Sequence, residues 1–210
     1  MDVLTSVEGA GISMAQKLLR VPLGWSSDAV GTAEQIQTTL GAGPCLSAVQ
    51  SGAPSASDAS VLADRWPVYY DELSRLTPYR SVASIPLQVD GTPAFGALDL
   101  YASSTDLSST LQLADIADAI ARPIAVILSG AFTRLYDDDP YIPEWLDADP
   151  AVERMTVWTA VGMLISASPQ SDEDALATLR AWAYGHGLSL DEVANDVVER
   201  ITSLEAVLGG

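Results

Sequence analysis

Apolar and polar positions alternate in the first half of the chain and fall into helical spacing in the second, and this change of period divides it. Gly9–Met14 and Leu19–Trp25 read as strands, the second weakened by Pro22. Asp28 caps a helix that ends near Leu40. In Leu40-Gly41-Ala42-Gly43-Pro44-Cys45-Leu46, two glycines and a proline predict a tight, irregular turn. Ala48–Gly52 reads as a short helix, and Ala53–Ser57 as a short edge strand. Asp64-Arg65-Trp66-Pro67 opens a helix running to about Leu76. Arg80–Val89 and Ala94–Tyr101 alternate as two strands about Asp90-Gly91, a hairpin signal. Antiparallel strands with helices between them predict an α+β domain.

The longest helical pattern runs over about residues 109–135. Leu113, Ala117, Ile120, Ile124, Ile127 and Ala131 repeat on a 3-4 spacing, with Ile116, Leu128, Phe132 and Leu135 widening the stripe. That width predicts one side on the sheet and another against a second copy, making the chain a homodimer. Pro123 predicts a kink near the middle. Asp115, Asp118 and Arg122 fall off the stripe and read as solvated. Residues 137–149 form an acidic linker whose Tyr141, Ile142, Trp145 and Leu146 suit a docked connector better than a flexible tether.

Beyond it come three amphipathic segments, each with a helix-start signal: Asp149-Pro150, then Ser171 and Ser189, each followed three residues later by an acid. Val157, Val161, Leu164 and Ile165; Leu176, Leu179, Trp182 and Ala183; and Leu190, Val193, Ala194, Val197, Ile201 and Leu204 mark their apolar faces. Pro169 and Gly185-His186-Gly187 separate them, so residues 150–210 predict three short helices closing on a small core.

Composition narrows the function. A net charge of −18 disfavours anionic lipid and nonspecific DNA. Met1-Asp2-Val3-Leu4 lacks the basic start of a signal peptide, and no run of about 18 apolar residues suggests a membrane span, so the expectation is a cytoplasmic protein. One cysteine, Cys45, and one histidine, His186, supply neither a disulfide nor a metal cluster, and leave little for nucleophile–base chemistry. An enzyme is not expected, and the sequence names no cofactor either way.

Two resemblances sharpen the reading. Gly41-Ala42-Gly43-Pro44-Cys45, Asp64-Arg65-Trp66-Pro67, Arg80-Ser81-Val82, Ile85-Pro86-Leu87 and Gly96-Ala97-Leu98-Asp99-Leu100-Tyr101 occur in the order and spacing of a GAF domain. They resemble the type found beside ANTAR modules in actinobacterial regulators. Arg154-Met155-Thr156-Val157 through Leu164, Ser171–Ala175, Leu179-Arg180, Ala183 and Leu190–Ala194 resemble an ANTAR domain, a three-helix module of bacterial regulators that binds RNA hairpins and prevents transcription termination. The resemblance implies a GAF-like sensor over residues 1–136, with an antiparallel sheet, helices on one side and a small-molecule pocket on the other. It implies an ANTAR-like output over residues 150–210.

Candidate ligand-binding residues on or beside the GAF motifs are Cys45, Trp66, Tyr70, Ser84, Asp99 and Tyr101. Trp66 reads as a core anchor before a ligand platform, Asp99 as facing solvent or a pocket, and Cys45 as a buried inert thiol before a redox sensor. For a cyclic nucleotide, Arg80 is the arginine that the motifs place well. By the ANTAR resemblance Arg154, Gly162, Arg180 and His186 form the RNA-binding set. Gly162 also suits close helix packing, His186 an exposed loop, and Arg180 a pair with Glu173 or Asp174. Two positions depart from the family: Val161 stands where a lysine is usual, and Gly187-Leu188-Ser189 where an Asn-basic-basic run is usual. From Pro150 onward three arginines face nine carboxylates, leaving −6 where a nucleic-acid reader carries a basic stripe. The rival expectation is therefore a protein-interaction regulator that keeps the ANTAR fold without binding RNA.

Overall fold

The computed structural model describes residues 4, 6–16, 19–136 and 149–209, the side chains of 16, 19, 131–136 and 149–154 excepted. Five strands, β1 (Gly9–Gln16), β2 (Leu19–Trp25), β3 (Ser55–Ser57), β4 (Ser81–Leu87) and β5 (Gly96–Ala102), form one antiparallel sheet in the order β2-β1-β5-β4-β3. Pro22 sits on the edge strand, where its missing N–H is tolerated. Beside it the β1–β2 register slips between Ile12 and Ser13, a bulge that leaves Leu23 unmatched. Gly91, at φ 79°, turns the chain back between β4 and β5, and Thr92 N–H closes the turn on the Val89 carbonyl.

The helices of this half are α1 (Asp28–Leu40), α2 (Pro44–Ser51), α3 (Ala59–Arg65) and α4 (Pro67–Leu76). Two differ from the sequence reading. The glycine–proline turn is itself the start of a helix, because Pro44 takes the first helical position, where no N–H is needed. Asp64 does not open a helix. It lies inside α3, and the new start is at Pro67, with Trp66 held off helical geometry at φ −138°, ψ 63° as the residue before a proline.

The long helix begins at Leu113. It comprises α5 (Leu113–Ile116), one π-helical turn (Ala117–Ala121) and α6 (Arg122–Tyr136). Pro123 follows that wider turn directly, where the Arg122 N–H reaches back to the Ala117 carbonyl. The extra residue per turn makes room for a ring that would otherwise press on the preceding turn. Ala83, Ile85, Leu87, Leu98, Leu100 and Ala102 from the sheet meet Ile116, Ala121 and Ala125 in one core. The opposite face is also covered: Val30, Ala33 and Ile36 of α1 and Tyr69 and Leu73 of α4 meet Val82 and Tyr101 in a second core. Every residue of β4 and β5 is buried, so helices lie on both faces, not one.

The C-terminal bundle contains α7 (Asp149–Ala167), α8 (Asp172–His186), α9 (Leu190–Val198) and a further short helix, α10 (Leu204–Gly209). Ser171 caps α8, and Ser189 with Glu192 forms a complete capping box on α9. The third segment stops earlier than its pattern predicts. Arg200 takes the left-handed conformation, φ 61°, and the N–H groups of Ile201 and Thr202 fold back onto the Asp196 carbonyl. Ile201 thereby leaves the apolar face and is 72% exposed. Val157, Ala160, Val161, Leu164, Ala175, Leu179, Val193 and Val197 form the bundle core. Apart from Asp149, the linker with its four apolar residues lies outside the described residues. No helix among them is long and apolar enough to cross a membrane.

Candidate functional site

Alternation along β5 turns Asp99 and Tyr101 away from the Leu98–Leu100 core and toward α1. Gly11 lies opposite Asp99 on β1, and a Cβ there would come within 2.6 Å of a Glu34 carboxylate oxygen, so glycine is what admits the Glu34 side chain. Arg20 enters from β2. All three charged groups are buried: Arg20, Glu34 and Asp99 are 1%, 3% and 0% exposed.

Arg20 Nη2 faces three acceptors, Ser13 Oγ at 2.7 Å, Glu34 Oε2 at 2.5 Å and Asp99 Oδ2 at 3.1 Å, with only two hydrogens to share among them. Its Nη1 donates to the Glu34 carbonyl at 3.3 Å. Ser84 donates to Asp99 Oδ1 at 2.5 Å, and Gln37 Nε2 to Asp99 Oδ2 and to Tyr101 Oη, each at 3.2 Å. Tyr101 donates to Glu34 Oε1 at 2.6 Å. The Cys45 N–H donates to Gln37 Oε1 at 3.0 Å, which fixes the orientation of that amide.

One guanidinium thus faces two carboxyl groups out of water. Burial disfavours the second negative charge, and Glu34 adds repulsion, so Asp99 is pushed up to about 7. Near neutral pH the pair therefore holds a proton. Burial likewise pushes the Tyr101 hydroxyl up, with Glu34 adding to it. The Cys45 thiol is pushed up by burial although Arg20 opposes this, and it lies 3.5 Å from Ser13 Oγ. A covered, protonated thiol is a poor redox sensor.

Of the six candidate ligand residues, Cys45, Ser84, Asp99 and Tyr101 meet in this cluster. Trp66 and Tyr70 lie apart, at the margin of the α1–α4 core; Trp66 stacks under Arg65 at 4.3 Å, and Tyr70 lines a shallow surface pocket with Arg80. Arg80 donates to the carbonyls of Thr77 and Tyr79. The sequence reading missed Arg20, Glu34, Gln37 and Ser13. A signal existed for two of them: Glu34 and Gln37 fall one and two turns after Val30, on the apolar face of α1.

A second meeting of side chains joins the two halves at the carboxyl end of α1. Arg180 Nε of α8 donates to the Thr38 carbonyl at 3.3 Å, and the Leu190 N–H to Thr39 Oγ1 at 3.2 Å. Gln35 Nε2 donates to Asp191 Oδ2 at 2.8 Å. Arg180 is therefore half-buried against the sheet domain, whereas the sequence offered Glu173 or Asp174. His186 ends α8 and stacks on Trp182 with ring centroids 3.9 Å apart. Gly162 does not pack helices closely: it is exposed, with nothing within 4 Å of where a Cβ would stand. Val161 is buried in the bundle core. The side chain of Arg154 lies outside the described residues. Beside the α1 interface opens a cleft of about 360 Å³, lined by Ile36, Leu40, Arg75, Leu76, Tyr184 and Leu188 among others.

A solved structure similar to this chain is the GAF domain region of a protein from Geobacter sulfurreducens PCA. It shares 18% identity over 59% of this chain and 82% of that one, with a TM-score of 0.43. No protein-family model and no curated protein matches the chain. Among the described residues, no group of three or more His, Cys, Asp or Glu side chains is arranged to hold a metal ion.

Proposed function

We propose that the chain is a cytoplasmic, non-enzymatic signalling regulator, with a GAF-type sensor in residues 1–136 and an ANTAR-type output bundle in residues 150–210. The output binds RNA hairpins and acts in transcription antitermination. Five motifs in order support the first half of this reading, and the capped helices at matching spacing support the second. The observation that carries the coupling is the interface at α1, where Arg180, Leu190 and Asp191 of the bundle are bonded to the sheet domain.

In this reading Arg154 and Arg180 contact phosphates, the open backbone at Gly162 allows close approach, and the Trp182–His186 stack offers a platform for an unpaired base. The arrangement described here is then a closed one, since Arg180 is engaged with α1. A small-molecule signal in the sheet domain acts by joining or displacing the Arg20–Glu34–Asp99 cluster. A second copy packs on α6, where Val126 and Ile127 are 54% and 71% exposed.

The second reading, a protein-interaction regulator without RNA binding, is favoured by the buried Val161 and by the −6 of the bundle. Filter binding of the full chain to a paired-hairpin RNA separates the two. The first reading expects micromolar or tighter binding that weakens from about 50 to about 150 mM salt and on Arg154→Ala. No retention at about 50 mM salt selects the second.

A further inference from the structure

α1 takes part in both the buried cluster and the contact with the bundle, and the residues of the two sets interleave along it. Glu34 and Gln37 point into the buried cluster, while Gln35, Thr38 and Thr39, each within two residues of one of them, hold the bundle.

The chemistry of the outer contact is specific. The last carbonyls of a helix lack intrahelical partners and carry the negative end of its dipole. Arg180 supplies a cation there, lying so close over Gly41 that a Cβ would meet its guanidinium carbon at 2.6 Å. Gly41 ends α1 at φ 64°, a left-handed cap that leaves this approach open. Leu190 is the first residue of α9, so its N–H has no acceptor within its own helix, and Thr39 Oγ1 provides one from the other domain. The positive end of α9 thus meets the negative end of α1.

We propose that α1 is a coupling helix: a change of charge or hydrogen bonding in the buried Arg20–Glu34–Asp99 cluster alters how tightly its carboxyl end holds the C-terminal bundle. The groups that face Asp99 are Arg20 from β2, Ser13 from β1, Ser84 from β4, Tyr101 from β5, Glu34 and Gln37 from α1, Cys45 from α2 and Tyr69 from α4. When Asp99 loses its proton, a second negative charge stands beside Glu34 with one guanidinium to serve both. The repulsion acts on α1 at Glu34, one residue from Gln35, so the ionised cluster loosens the grip. The inference rests on the reading above only in calling the bundle an output. Its test involves no RNA, so a failed hairpin titration and a failed coupling are separate results.

The Leu190 amide is the natural probe, because its protection from hydrogen exchange comes from the other domain. Exchange is followed by NMR in the full chain, with Leu190 referred to Ala194 in the α9 core so that the intrinsic pH dependence cancels. In the wild type the Leu190:Ala194 protection ratio falls about tenfold between about pH 5 and about pH 8. In Asp99→Asn, which cannot ionise there, the ratio stays flat. Ser84→Ala, which removes a donor to the charged form, moves the fall to higher pH and serves where Asp99→Asn does not fold. Thr39→Val abolishes Leu190 protection at every pH while Ala194 stays protected. The inference is overturned if the ratio is flat with pH in the wild type, if the folded cluster variant gives the wild-type curve, or if Thr39→Val leaves Leu190 protected.

Discussion

Replacing Asp99 by asparagine should make the protein more stable at pH 8 and remove this carboxyl's share of the pH dependence of stability. The folded chain holds the Asp99 proton up to about pH 7, whereas an unfolded carboxyl of ordinary value 3.8 has already released it. Between these limits the folded state binds more protons than the unfolded one, so this group's contribution is fully present below about pH 4. It is lost as pH rises to about 7 and is constant above that. Three pH units at about 1.4 kcal/mol each put the loss on the order of 4 kcal/mol. The asparagine amide has the shape of the protonated carboxyl. Its carbonyl can take the bonds from Arg20 and Gln37, and its NH2 can donate to Ser84, whose hydroxyl also accepts. Urea midpoints of both proteins from about pH 4.5 to about pH 8.5, at unchanged slope, read the difference. The other 27 carboxyl side chains are common to both curves and drop out of it. The variant gains on the wild type as pH rises, by up to a few kcal/mol at pH 8. Parallel curves would falsify the claim that the cluster stores a proton.

Gly11→Ala drives a methyl group into the Glu34 carboxylate and should cost about 1–3 kcal/mol in urea denaturation; an unchanged midpoint contradicts the close approach of β1 and α1. Arg200→Gly relieves a left-handed backbone and should raise stability by about 1 kcal/mol, seen as a higher melting temperature; a lower one would mean that Arg200 makes contacts that outweigh its strain. Ile127→Glu places a charge on the exposed face of α6, and light scattering should give the mass of one chain where the wild type gives two. A wild type already at one chain removes the dimer.

The architecture was legible wherever the pattern was periodic. Ser171 and Ser189 announced α8 and α9 because each hydroxyl accepts an orphan N–H three residues on, and at α9 the Glu192 carboxylate also takes the Ser189 N–H. Proline carried two different meanings. At Pro44 it looked like a breaker and proved to be a first helical residue. At Pro123 it marked an irregularity in the long helix, and a π-helical turn stands just before it. Arg200 ended α9 without the glycine or proline that usually signals a stop. Asp99 was found by alternation and motif, but its partners were not. Arg20, Glu34 and Asp99 are separated by 14 and 65 residues, and only the antiparallel register of β2, β1 and β5 brings them together. The role of Arg180 was out of reach for a related reason: a guanidinium is a phosphate ligand or a helix cap according to what lies opposite, and here that is the end of α1.

Hairpin binding by the full chain and by its Gln35→Glu variant tests the regulator most directly. The substitution sets a carboxylate against Asp191, which should part the bundle from α1 and release Arg180 from the Thr38 carbonyl while leaving every residue of the bundle unchanged. The account predicts about tenfold tighter, salt-sensitive binding by the variant at about 50 mM salt. Equal affinity in the two proteins, or no retention of RNA by the variant, would contradict it.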